Sequence, residues 1–98
     1  MNANQKAKCS RILKHYGEQH QMLKTVEECS ELSRALSRYL QNRNTLKSVE
    51  ATKNLREEMA DCYIMLEQVS QIFDELDIKS CIDYKLDRTL QRIKDGEQ

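Results

Sequence analysis

Apolar residues recur along most of this chain at the three-and-four spacing of a helix. Cys9, Ile12, Leu13 and Tyr16 stand at i, i+3, i+4 and i+7, followed by Gly17. That spacing predicts a first helix over 6–16, which the glycine ends. A second helix is predicted over 18–40, with Met22, Val26, Cys29, Leu32, Leu36, Tyr39 and Leu40 in one broad apolar arc. A third is predicted over 48–76, capped by Ser48. Its arc is Leu55, Met59, Cys62, Met65, Leu66, Val69, Ile72, Phe73 and Leu76. A fourth is predicted over 81–94, where Ile82, Leu86, Leu90 and Ile93 form the stripe and Ser80 with Asp83 has capping-box spacing. The polar stretch 41–47 and the short stretch 77–79 read as connections.

Four helices with short connections predict an all-α fold, a four-helix bundle-type protomer forming one domain over 1–98. The absence of Pro and the presence of only two Gly agree with that class. A chain of 98 residues has a thin core, so a homodimer or homotetramer is expected to complete it.

Charge narrows the function classes. Sixteen basic and sixteen acidic residues cancel, so the chain lacks the basic footprint of a nucleic-acid binder. No apolar run is long enough to span a membrane, and no membrane partner is expected. The cysteines at 9, 29, 62 and 81 form no C-x-x-C pair. Cys29 and Cys62 read as small core residues in a chain without a signal peptide, so a reduced, cytoplasmic setting is expected.

The acids break the pattern. At about 100° per residue, Glu28 falls inside the apolar arc of the second helix and Glu58 near the middle of the third. Each has a further acid at i+3, Glu31 and Asp61, on the edge of its arc, whereas Glu27 and Glu57 face away. A carboxylate taken into a core costs several kcal/mol unless it is paired. Two readings of the residues stand. In one, each acid snorkels outward or meets a basic partner. In the other, the acids share a divalent cation, and clustered carboxylate oxygens suit Mg²⁺ or Mn²⁺ better than zinc. His15 and His20 flank Gly17 and read as surface residues.

Basic residues follow a matching logic. Lys24 lies one turn before Glu28 on the side of Glu28 and Glu31. Lys85, Arg88 and Arg92 share a face beside the fourth apolar stripe. Helix-end complementarity accounts for such cations one by one. Taken together with the acids, they suit a polyphosphate whose oxygens are shared between a metal and cationic side chains.

Glu27-Glu28-Cys29-Ser30-Glu31 followed by Glu58-Met59-Ala60-Asp61 resembles the E-E-x-x-E … E-x-x-D signature of MazG-like nucleoside triphosphate pyrophosphohydrolases. The flanking GEQHQMLKTVEECSEL and YKLDRTLQRI are similar to family sequence too, and the resemblance covers about 16–94. It implies Mg²⁺-dependent hydrolysis of an NTP or dNTP to the monophosphate and pyrophosphate. It further implies Glu28, Glu31, Glu58 and Asp61 as metal ligands. Glu27 or Glu31 would be the base that activates water, and Lys24, Lys85, Arg88 and Arg92 the phosphate contacts. One departure stands out: some members carry a Lys one turn before the second acidic motif, where this chain has Asn54, with Lys53 beside it pointing elsewhere. No base platform is identified; Tyr16, Tyr39 and Tyr84 are the aromatic candidates. Two competing readings are a non-enzymatic helical assembly or adaptor module, and a related enzyme acting on phosphoribosyl-ATP or a modified nucleotide.

Overall fold

A computed structural model describes residues 1–96. They form four helices: α1 (Ala3–Tyr16), α2 (Glu18–Asn42), α3 (Ser48–Ile72) and α4 (Glu75–Lys94), with no strand among the described residues. The all-α expectation holds, and the boundaries move in instructive ways.

α1 starts earlier than expected because Asn2 and Gln5 close a reciprocal capping box, with bonds of 2.8 and 3.0 Å. Gly17, at φ 90°, turns the chain from α1 directly into α2, a conformation that side-chain-bearing residues rarely adopt. The third helix ends at Ile72 rather than 76, and the fourth begins at Glu75 rather than 81. The break expected at 77–79 is helical instead. Phe73 is extended, and the Asp74 carboxylate accepts the Leu76 N–H at 2.9 Å. Glu75 and Asp77 then sit in the first turn, where the helix dipole favours acids. That signal outcompetes the Ser80/Asp83 box, which lies inside α4. Ser48 is the first residue of α3 rather than its cap; Lys47 holds the cap position without a side-chain bond.

α2 and α3 form the central antiparallel pair. Gln21 meets Gln68, the Glu28 carbonyl meets Cys62, and the Glu31 carboxylate approaches that of Glu58. These pairings step down the two helices in opposite directions, which fixes the register. Small side chains let the helices approach: Ala35 and Ala51 are buried in the seam, and Cys62 and Met65 complete it. α1 lies across the far end, where Cys9 is buried with its thiol 3.9 Å from the Ile64 carbonyl and Gln71 donates to the Lys6 carbonyl at 3.1 Å. α4 packs on α3 alone.

The apolar arcs face differently from expectation. Val26, Leu36 and Leu40 of α2, Leu66 of α3, and Phe73 and Leu76 beyond it are exposed, as is the whole α4 stripe of Ile82, Leu86, Leu90 and Ile93. Cys29, expected in the core, is exposed too, while Cys62 is buried as expected. Many large apolar residues lie on the outer sides of the helices, and apart from Met65 the buried residues are small or polar. The radius of gyration is 16.6 Å, against about 13 Å for a compact chain of this length. No helix among the described residues is long and apolar enough to cross a membrane.

Candidate functional site

The polar residues inside the seam define the site. Glu28 is only 8 % exposed and lies on the face of α2 that packs against α3. Its Oε1 is 3.4 Å from Lys24 Nζ, one helical turn upstream. Its Oε2 is buried with no hydrogen-bond partner, and Glu58 Oε2 is in the same condition. Glu31 and Glu58 are half-buried. One carboxylate oxygen from each of Glu28, Glu31 and Glu58 lies within 4.8 Å of the other two. The antiparallel register produces this convergence: residues on facing turns of α2 and α3 are brought across the seam from each other.

Asp61 is exposed and stands outside that close group, although its charge reaches Glu28. Glu27 is exposed, with Oε2 3.6 Å from Lys24 Nζ. Lys24 thus bridges both motif acids. The two partners respond unequally. Burial pushes the Glu28 carboxyl above its ordinary range, the Lys24 contact opposes this, and the charges of Glu31 and Asp61 add to it. The Lys24 ammonium, mainly through its contact with Glu28, is held above its own usual range. Desolvation therefore outweighs the ion pair at Glu28, because the pair satisfies only one of its oxygens.

Cys62 lines the same seam. Its thiol donates to the Glu28 carbonyl at 3.3 Å. Burial, followed by the proximity of Cys29 and the charges of Glu28 and Glu58, pushes its pKa to about 11. The converging group itself consists of carboxylate oxygens, and the Cys62 sulfur is not among them. Such a set suits a hard divalent ion.

The basic residues divide into two groups. Lys24 is in place beside the acids. Lys85 and Arg92 are exposed on α4, and Arg88 is half-buried with its Nε buried and unpartnered. The Arg88 guanidinium lies 5.8 Å from the centre of the Tyr84 ring. Among the described residues none of the three forms an ion pair, and α4 does not pack against α2.

One feature of the seam is absent from the sequence-based expectations. Gln21 and Gln68 are both buried, and Gln21 Nε2 donates to Gln68 Oε1 at 2.8 Å. Gln21 Oε1 is 2.7 Å from His20 Nδ1, and the His20 ring stacks on Tyr16 at 4.9 Å with 14° between planes. The available signal was helical phase: Gln21 stands seven residues before Glu28, and Gln68 seven after Asp61, so each lies nearly in line with a motif acid.

The fold is all-α, and its central seam brings three carboxylates together. The sequence matches the family model of the MazG nucleotide pyrophosphohydrolase domain over residues 17–95. The chain belongs to this family, and the match takes in α2, α3 and α4. No curated protein and no solved structure matches the chain.

Proposed function

We propose that this chain hydrolyses a nucleoside triphosphate, NTP or dNTP, to the nucleoside monophosphate and pyrophosphate in a Mg²⁺-dependent reaction. One observation carries the reading: three carboxylates of a MazG-family chain converge within 4.8 Å, and two buried oxygens among them lack partners. Clustered like charges with orphaned oxygens are costly in isolation. A divalent cation offsets both costs, so the residues fit the metal.

Glu28, Glu31 and Glu58 would hold Mg²⁺, with Mn²⁺ as a substitute, and Asp61 adds a fourth carboxylate at the rim. When bound, the ion neutralises triphosphate charge and acidifies a water. The chain's own groups perform the rest. Glu27 or Glu31 takes the proton of the attacking water. The water oxygen adds to the α-phosphorus, and the bond from that phosphorus to the α,β-bridging oxygen breaks, releasing pyrophosphate. Lys24, fixed between Glu27 and Glu28, stabilises charge on the α-phosphate oxygens. Lys85, Arg88 and Arg92 supply the remaining phosphate contacts from their own or a neighbouring subunit, and a homodimer or homotetramer buries the outer apolar faces.

The test is pyrophosphate release across a panel of NTPs, dNTPs, phosphoribosyl-ATP and modified nucleotides, with and without Mg²⁺. Release from at least one triphosphate, abolished by chelation and by Glu58→Gln with helicity retained, is the expected result. Full activity in Glu58→Gln would remove that residue from the site, and no release from any nucleotide would favour a passive assembly module.

A further inference from the structure

Resting on that reading, we propose that the open cleft at the α2–α3 turn receives the pyrophosphate half of the substrate, with Arg38 and Lys47 as its positioning cations. The cleft measures about 600 Å³ and is lined by Arg38, Gln41, Asn42, Lys47, Glu50 and Asn54, with buried Ala51 as its floor. It continues the acid-bearing seam. Asn54 stands one turn before Glu58, about 6 Å along the axis, and Arg38 stands two turns after Glu31 on the facing helix. Between cleft and acids lies the stretch of seam where Ala35 is buried and Leu32 and Leu55 are half-buried.

Lining chemistry selects the ligand. Arg38 and Lys47 are exposed and form no ion pair among the described residues. Glu50 is the one acid of the lining, which leaves a net positive charge. Amides of Gln41 and Asn54 offer further donors, whereas one Asn42 N–H is already given to the Arg38 carbonyl at 2.9 Å. No aromatic or large apolar side chain lines the cleft, so nothing in it would stack on a base. Tyr16 stacks on His20 at the opposite end of α2, whereas half-buried Tyr39, next to Arg38 in sequence, takes no part in the lining. An anion fits the cleft and a nucleobase does not. A guanidinium grips phosphate oxygens through paired N–H groups, and an ammonium adds a point charge. The substrate therefore runs with its terminal phosphates toward the α2–α3 turn and its nucleoside toward α1.

The test compares Arg38→Gln, Lys47→Gln and the double variant with the unmodified chain, on whichever triphosphate of the panel releases pyrophosphate. Each single change is expected to raise KM and weaken product inhibition by pyrophosphate about tenfold, the loss of one charged hydrogen bond. Inhibition by the nucleoside monophosphate and kcat should stay within about twofold, and Arg38→Lys should recover part of the loss. Calorimetric titration of pyrophosphate with Mg²⁺ reads the same loss without turnover. Unchanged pyrophosphate binding in the double variant, or equal weakening of monophosphate and pyrophosphate, overturns the orientation while leaving the hydrolase reading intact. Failure of the unmodified chain to release pyrophosphate or to bind it overturns both.

Discussion

At the residue scale, Glu28 holds the conflict on which the site depends. One of its oxygens meets Lys24 and the other meets nothing. Its folded pKa is raised above the ordinary 4.5, chiefly by burial. Below pH 4.5 folded and unfolded chains both hold the proton, so Glu28 adds no pH dependence there. As pH climbs through 4.5 toward the folded value, the unfolded chain releases its proton first, and stability falls. Above the folded value the loss is complete. Glu28→Gln is expected to abolish this slope and to stabilise the metal-free protein at neutral pH by about 1 kcal/mol, a gain of several degrees in Tm. Saturating Mg²⁺ should reverse the order, because only the unmodified chain gains binding energy in the folded state. Melting curves at several pH values with EDTA or Mg²⁺ check both halves. Parallel curves for the two proteins would mean that Glu28 is solvated rather than strained.

At the scale of elements, the α2–α3 seam is a line of polar residues held to one register. The Gln21–Gln68 bond is buried, Gln68 being only 1 % exposed, so removing one partner strands the other without water. Gln68→Leu is expected to cost about 1–3 kcal/mol, and Gln21→Leu a similar amount. The pair Gln21→Leu/Gln68→Leu should cost less than the two singles combined, since no amide is left unsatisfied. Urea denaturation of the four proteins measures the coupling, and simple additivity would show that the bond specifies nothing. This seam also marks how far the sequence could be read. The inward position of Glu28 follows from helical phase, which the chain itself sets. Which part of a broad apolar arc meets the partner helix does not. Val26, Leu36 and Leu40 outrank Ala35 in hydrophobicity, yet only small side chains permit the close approach of α2 to α3, and Ala35 takes the seam. The α3–α4 boundary was hidden for a similar reason. Asp74 and Ser80 both offer caps, and the acids at 75 and 77 favour the earlier one through the helix dipole.

At the scale of the whole molecule, the proposed oligomer rests on exposed apolar surface. Ile82, Leu86, Leu90 and Ile93 are each more than half exposed on a helix that touches only α3. Leu36 and Leu40, one turn apart on α2, are exposed as well. Burying one such side chain fully contributes about 1.5–3 kcal/mol, so mutual coverage by a second copy is expected to outweigh the cost of association. Sedimentation equilibrium should give a multiple of 11.6 kDa, and Leu86→Lys with Leu90→Lys should lower the mass toward that of one chain. The cations of α4 follow the same logic. Arg88 and Arg92 lie on the element least attached to its own acids and form no ion pair among the described residues. If they reach a neighbour's site, two inactive proteins will complement each other. Glu58→Gln subunits keep the cations and lack a working carboxylate, whereas Arg88→Ala/Arg92→Ala subunits have the reverse defect. Mixed, unfolded and refolded together, they should recover pyrophosphate release that neither shows alone. No recovery in mixtures whose subunits demonstrably exchange would assign these arginines to the acids of their own chain.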